Sequence, residues 1–230
     1  AKLSWHERTQ DKTVRPQTSL YYGPKYSENQ LRSVVKSVEN NYNTYVGNAK
    51  SVAELLSENK IVAMYQGSSE AGPRALGNRS ILYNPTDPNG KDFVNEVKGR
   101  EWFRPFAGTV LEEDANKYFD LGGMKSSPFM MYAVDVRTIH PMQDQDPIPA
   151  ITHVDGTCRI QTVNKKQNKN YYDVINEFKN ITGIPIVFNT SFNLAGQPLV
   201  ETIEDAIQTL EDSKISYLYL PEIEIILEKK

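Results

Sequence analysis

In the segment YSENQLRSVVKSV, Leu31, Val34, Val35 and Val38 fall at i, i+3, i+4 and i+7, and Ser27 and Gln30 stand ahead of them at capping-box spacing. This pattern predicts an amphipathic helix. A shorter helix is expected over 52–58, then a buried strand in KIVAMYQG and another in SILYNP that Pro85 stops. Helical spacing returns over 92–98. AGTVL reads as a strand, EEDANKYF as a helix and PFMMYAVDVR as a long strand, and 138–149, with three prolines, reads as a loop. HVDGTCRIQTV alternates, which places Thr157, Arg159 and Gln161 on one face of an extended segment and Cys158 and Ile160 on the other. Tyr171, Val174, Ile175 and Phe178 mark a helix over 170–180 that Gly183 closes. IPIVF is a strand that runs into NTSFNLAGQPLV, IEDAIQTLED is a helix, and ISYLYL and EIEIILE are strands. Strands and helices alternating in this order predict one α/β domain, a mixed sheet with helices packed on it. The domain is expected over 21–230. Residues 1–20 show no apolar period and read as a linker or tail.

Composition narrows the function classes. With 230 residues, 39% hydrophobic and 24% charged, the chain is long enough to bury a core as one domain or at most two small ones. The longest apolar runs, 184–188 and 223–227, are far too short to cross a bilayer, and no charged-then-apolar leader opens the sequence. The expectation is a cytoplasmic protein without a membrane partner. A single cysteine, Cys158, excludes an intramolecular disulfide, leaves a thiolate metal cluster without ligands and suits a reducing compartment. A net charge of −3 gives no support to binding of duplex nucleic acid. Locally the balance inverts: residues 74–104 carry six cations against four anions, and 153–169 carry four lysines and arginines against Asp155 alone. Two basic islands in an acidic chain suggest a small anionic ligand.

Three clusters carry candidate chemistry. In EAGPRALGNRS, Gly72 and Gly77 would let backbone amides approach an anion while Arg74 and Arg79 supply forked donors. In KGREWFRPF, Lys98, Arg100 and Arg104 follow a helix end. In NTSFN, Thr190, Ser191 and Asn193 sit at the carboxyl end of a buried strand, the usual ligand position in open α/β sheets. With Thr157, Arg159 and Gln161 these groups form a phosphate and carbonyl binder. Neither a P-loop nor a dinucleotide fingerprint occurs, so arginines and hydroxyls would have to hold any nucleotide. No metal ligands are assigned: His153 and Asp155 alone do not make a site and read better as a hydrogen-bonded turn. His6 and His140 read as solvated, Cys158 as core, and Trp102, Phe103 and Phe106 as packing around Arg104. Lys165, Lys166 and Lys169 read as a solvated face.

GPRALGNRSIL, VKGREWFRPFA, ITHVDGTCRIQTV and GIPIVFNTSFNLAGQPLV resemble, in order and spacing, the C-terminal half of the O-carbamoyltransferases that modify antibiotics and nodulation factors. The resemblance covers Tyr21 to Leu227. It implies a YrdC-like domain, an open twisted mixed β-sheet with flanking helices. Such a domain converts carbamoyl phosphate and ATP into carbamoyl-adenylate and pyrophosphate, with Mg2+ on the pyrophosphate. Lys98 and Arg104 match the family's basic pair on the adenylate phosphate, and Arg159 and Ser191 match groups between the carbamoyl end and that phosphate. Arg74 and Arg79 look like further anion ligands, and Thr190 and Asn193 complete a T-S-x-N element. The family's other half, an actin-like domain with a metal site that carbamoylates a hydroxyl acceptor, is not in this sequence and would have to act in cis or in trans. A homodimer is compatible with the resemblance. Threonylcarbamoyl-adenylate synthesis for tRNA modification is the alternative activity, and a nucleotide-binding or assembly module without turnover is the non-enzymatic one. The acceptor is not named by the sequence.

Overall fold

The computed structural model describes residues 8, 17–137 and 146–230. His6, His140, most of the 1–20 tail and much of the 138–149 loop lie outside the described residues. The helices are α1 (Glu28–Ser37), α2 (Ala49–Ser57), α3 (Gly90–Lys98), α4 (Ala115–Tyr118), α5 (Lys169–Thr182) and α6 (Ile203–Glu211). The strands are β1 (Tyr42–Val46), β2 (Val62–Tyr65), β3 (Arg79–Tyr83), β4 (Ala107–Leu111), β5 (Phe119–Asp120), β6 (Tyr132–Val136), β7 (Thr157–Val163), β8 (Ile186–Ser191), β9 (Tyr217–Leu220) and β10 (Ile225–Lys229). All ten strands join one sheet in the order β1-β10-β9-β2-β3-β8-β4-β7-β6-β5. It is mixed: β2 with β9 and β4 with β7 pair parallel, and the other neighbours pair antiparallel. No helix among the described residues is long and apolar enough to cross a membrane.

The period of two in the strands divides the interior into two layers. In β2, Val62 and Met64 join the residues that pack with Val52, Ala53 and Leu56 of α2 and with Tyr171, Val174, Ile175 and Phe178 of α5. Ala63 and Tyr65 join the opposite cluster with α1, α3 and α6. In β8, Val187 goes to the first layer, while Ile186 and Phe188 go to the second. These central strands therefore bury apolar groups on both faces, as they must when helices cover both. The capping box of α1 forms between Ser27 and Gln30, and Gly183 closes α5 in the left-handed region at φ 79°.

Three expectations change, and one strand is new. The helix read in EEDANKYF is a 3-10 turn at Glu112–Asp114 followed by the single turn of α4. The long strand expected from 128 shortens to Tyr132–Val136 because Met130 takes φ 53°, which breaks the extended run. The last predicted strand starts late, because Pro221–Ile223 forms a 3-10 turn and Glu224 takes φ 54° before β10 begins. Strand β1 was not legible: only Tyr42 of YNTYV is buried, so there is no alternation to detect, and its pairing with β10 comes from the backbone.

Candidate anion-binding site

The antiparallel pairing of β8 with β4 and the parallel pairing of β4 with β7 set Ala107 between Asn189 and Arg159 in register. This is the carboxyl end of β8, where Thr190 and Ser191 lie. The loop before β3 brings Pro73, Arg74 and Ala75 over the same point, and the segment after α3 brings Arg100, Pro105 and Phe106. Together these residues line a cleft of about 100 Å3 that also reaches Met130, with no carboxylate among its described lining residues.

The three guanidiniums in the cleft have almost no protein partners among the described residues. Arg74 reaches only the carbonyl of Pro73 at 3.5 Å, while its Nε is buried with no partner. Arg159 is half-buried, and desolvation followed by the charge of Arg74 pushes it below the ordinary guanidinium range. Arg100 shifts the same way, through burial and the nearby Arg104, and its guanidinium lies 5.1 Å from the Phe106 ring. Phe106 is held in turn against Phe188 at 4.5 Å. Like charges gathered with no carboxylate among the described residues of the cleft wall, Glu101 opposing them only at Arg100, and partly desolvated, are electrostatically unfavourable until an anion joins them.

A carboxylate that the sequence reading passed over shapes the loop. Oε1 of the buried Glu70 accepts the backbone N–H groups of Leu76 at 2.8 Å, Asn78 at 2.7 Å and Arg79 at 3.1 Å. Burial raises its pKa, and the three N–H donors oppose that rise. Gly77 has φ 102°, and a Cβ there would sit 2.2 Å from the Tyr171 ring, so only glycine lets the loop cross α5 this closely.

The remaining predicted residues lie elsewhere. Arg79 is fully buried, donates to the carbonyls of Gln66 (2.6 Å), Asn78 (3.0 Å), Gly67 (3.3 Å) and Glu201 (3.4 Å), and stacks 3.6 Å over Tyr65. It is a structural post under the bend, which corrects the reading of it as an anion ligand. Lys98 is buried too: its Nζ donates to the Ser191 carbonyl (2.5 Å), the Asn193 carbonyl (2.8 Å) and Asn193 Oδ1 (3.1 Å). Asn193 Oδ1 also accepts from Ser191 Oγ at 2.6 Å. Lys98 and Asn193 thus strap the turn that presents Ser191 and do not line the cleft. Arg104 is exposed and pairs with Glu101 at 2.7 Å. Thr157 Oγ1 donates to Asp155 Oδ1 at 2.7 Å, and His153 Nε2 lies 3.0 Å from the Phe106 carbonyl, so this segment closes a hydrogen-bonded turn. Gln161 is buried, donates to the Leu76 carbonyl at 3.1 Å and accepts from Thr109 at 2.9 Å. It faces a second cavity of about 300 Å3 with Leu20, Tyr21, Leu76, Phe129 and Asn164 in its wall. Cys158 is buried, and burial lifts its thiol to about 12, far from a nucleophile.

The environment of Lys98 yields a pH prediction. Burial, with Arg100 adding in the same direction, pulls its ammonium down to about 7. An unfolded lysine keeps its proton to about pH 10.4. Between these values the unfolded chain binds more protons, so stability rises with pH across this window. Lys98→Met is expected to flatten that rise in urea midpoints measured from pH 6.5 to 9, and an unchanged slope would remove the lysine as its source.

The profile of the carbamoyltransferase C-terminus matches residues 53–227. The chain belongs to the carbamoyltransferase C-terminus family. Nodulation protein NolO of Bradyrhizobium diazoefficiens is 48% identical over 163 residues, covering 70% of this chain and 29% of that one. An uncharacterized protein of Methanocaldococcus jannaschii is 41% identical over 206 residues, covering 87% of this chain and 33% of that one. Nodulation protein U of Rhizobium fredii is 38% identical over 179 residues, covering 78% and 29%. The chain therefore spans about a third or less of the length of these relatives. Among solved structures, HypF of T. kodakarensis superposes with TM-score 0.50 at 16% identity, over 75% of this chain and 22% of that one. The likeness is one of fold, and the open mixed sheet is the YrdC-like architecture expected of a carbamoyltransferase C-terminus.

Proposed function

We propose that this chain carries the adenylate-forming half-reaction of an O-carbamoyltransferase, making carbamoyl-adenylate and pyrophosphate from carbamoyl phosphate and ATP. The observation that supports it most is the convergence of Arg74, Arg100 and Arg159, from three separate segments, with Thr190 and Ser191 around a cleft of about 100 Å3 without a carboxylate among its described lining residues. That volume suits a phosphoryl or carbamoyl group and not a whole nucleotide. Room for the nucleoside lies next door. Ala75 lines the cleft and Leu76 lines the 300 Å3 cavity, while the hydrogen-bonded pair Asn189 and Gln161 is divided between the two in the same way.

In this reading water cleaves carbamoyl phosphate to phosphate and carbamate. A carbamate oxygen then attacks the α-phosphorus of ATP, and the bond from that phosphorus to the pyrophosphate oxygen breaks. Arg74, Arg100 and Arg159 neutralise charge on the phosphoryl oxygens as it redistributes, at fixed positions and with little competing hydration. Ser191, held by the Lys98 and Asn193 strap, offers a hydroxyl at the carboxyl end of β8. Among the described residues no three His, Cys, Asp or Glu side chains come together to hold a metal. Mg2+ would accompany ATP on its phosphates as part of the substrate. Transfer to a hydroxyl acceptor is assigned to an actin-like domain in cis or in trans, in keeping with the greater length of the relatives.

Pyrophosphate release by the purified chain with ATP and Mg2+ tests the reading. Release is expected to depend on carbamoyl phosphate. Release only with bicarbonate and threonine would replace this activity with threonylcarbamoyl-adenylate synthesis, and nucleotide binding without release under either condition would favour a non-catalytic module.

A further inference from the structure

Arg74 is placed in the cleft by its backbone, because its side chain meets only the carbonyl of its own neighbour Pro73, at 3.5 Å, among the described residues. The turn that carries it runs from Ala71 to Leu76. Its far foot is well held: the Leu76 N–H donates to Glu70 at 2.8 Å, the Leu76 carbonyl accepts from Gln161 at 3.1 Å, and the Ala75 carbonyl accepts from Asn189 at 3.1 Å. The near foot has no such support. Residues 71–73 are exposed, Gly72 turns at φ 108° with open space where a Cβ would stand, and the backbone of 71–74 makes a single hydrogen bond to another segment among the described residues. That bond joins the Ala71 N–H to the Leu20 carbonyl at 2.7 Å.

Leu20 begins a short strap, 20–23, that crosses this turn. Tyr21 bridges Glu70 in antiparallel register, its hydroxyl donates to the Leu76 carbonyl at 2.8 Å and accepts from Asn168 at 3.3 Å, and the Gly23 N–H donates to the Ser69 carbonyl at 3.1 Å. Successive strap residues thus hold both feet of the turn, Leu20 at Ala71 and Tyr21 at Leu76. The crossing is so close that a Cβ on Gly23 would stand 1.7 Å from Ser69 Oγ and 3.0 Å from Ser69 Cβ, and that hydroxyl is itself held by the Glu201 carboxylate at 2.9 Å. We infer that Leu20 and Tyr21 are positioning residues for anion binding, a staple that keeps Arg74 over the cleft. The inference rests on the reading of the cleft given under Proposed function. Neither residue lines the cleft. They act by restricting the turn beforehand, so that ordering it does not oppose binding.

Calorimetric titration of the full chain with inorganic phosphate, in a mutant cycle with Arg74→Ala, tests this. Gly23→Ala drives the strap off Ser69, and Tyr21→Phe removes only the hydroxyl tie. Phosphate affinity is expected to fall about tenfold in the first and about threefold in the second. Added to Arg74→Ala, where Arg100 and Arg159 still hold phosphate, either should change affinity by less than about twofold, since a brace that works through Arg74 then has nothing left to position. General damage to the fold would instead lower affinity by the same factor in both backgrounds. Should Gly23→Ala fail to fold, Tyr21→Phe carries the cycle alone. Parental affinity in both strap variants, or an undiminished loss in the Arg74→Ala background, would overturn the staple and leave the arginine cleft standing. Failure of the unaltered chain to bind phosphate would overturn both.

Discussion

Arg159→Ala is expected to lower carbamoyl phosphate-dependent pyrophosphate release by a factor of a hundred or more and to leave the melting temperature unchanged or slightly higher. The two halves of this expectation have one cause. Arg159 makes no side-chain hydrogen bond among the described residues, and its charged form is disfavoured by desolvation and by Arg74. Its removal relieves a repulsion in the folded state, so it costs no stability. With a phosphoryl group in the cleft the same charge becomes favourable, and a lost charge-assisted contact of roughly 1.5–3 kcal/mol is compounded by the loss of transition-state charge neutralisation. Arg159→Lys should recover only part of the activity, because an ammonium lacks the planar fork. Lost activity accompanied by a collapsed melting transition would make Arg159 a structural residue. Lys98→Ala should show that opposite pattern: Lys98 ties Ser191 and Asn193 together, and its loss strands acceptors in a buried turn.

The contrast between these cations shows what the sequence could and could not convey. Composition located the basic islands, and the order of motifs located the end of β8, but residue type alone does not distinguish a guanidinium that meets carbonyls from one that meets a cleft. For Arg79 a signal was present. It shares strand parity with Ile81 and Tyr83, both in the layer under α1, α3 and α6, so alternation already directed it inward. For Lys98 there was none, since its partners are oxygens about ninety-five positions away. Asn189 could have been noticed as an amide at the end of the apolar run IPIVF, at a depth where polar groups need partners. The helices α1, α5 and α6 were legible because caps and period agree, whereas α4 and β1 carry neither.

Glu70→Ala is the substitution expected to cost the most stability, roughly 3–5 kcal/mol. Three backbone N–H groups, those of Leu76, Asn78 and Arg79, converge on one carboxyl oxygen in a 6% exposed position. Alanine leaves all three buried without acceptors at about 1–3 kcal/mol each, partly recovered where the loop opens to water. Opening has a second consequence. The loop that Glu70 holds closed also carries Arg74, so affinity for inorganic phosphate should fall together with the melting temperature, which drops by about 10 °C for a domain of this size. Glu70→Gln separates the acceptor from the charge. It retains Oε1 but sets an NH2 where the buried Oε2 has no partner, so the amide is expected to recover part of the stability lost in the alanine variant and to bind phosphate more tightly than that variant does. Urea midpoints and phosphate titrations on the two variants check this. An alanine variant as stable as the parent would show that water serves the three N–H groups, while a glutamine variant as damaged as the alanine would show that an oxygen at Oε1 does not by itself close the loop over the cleft.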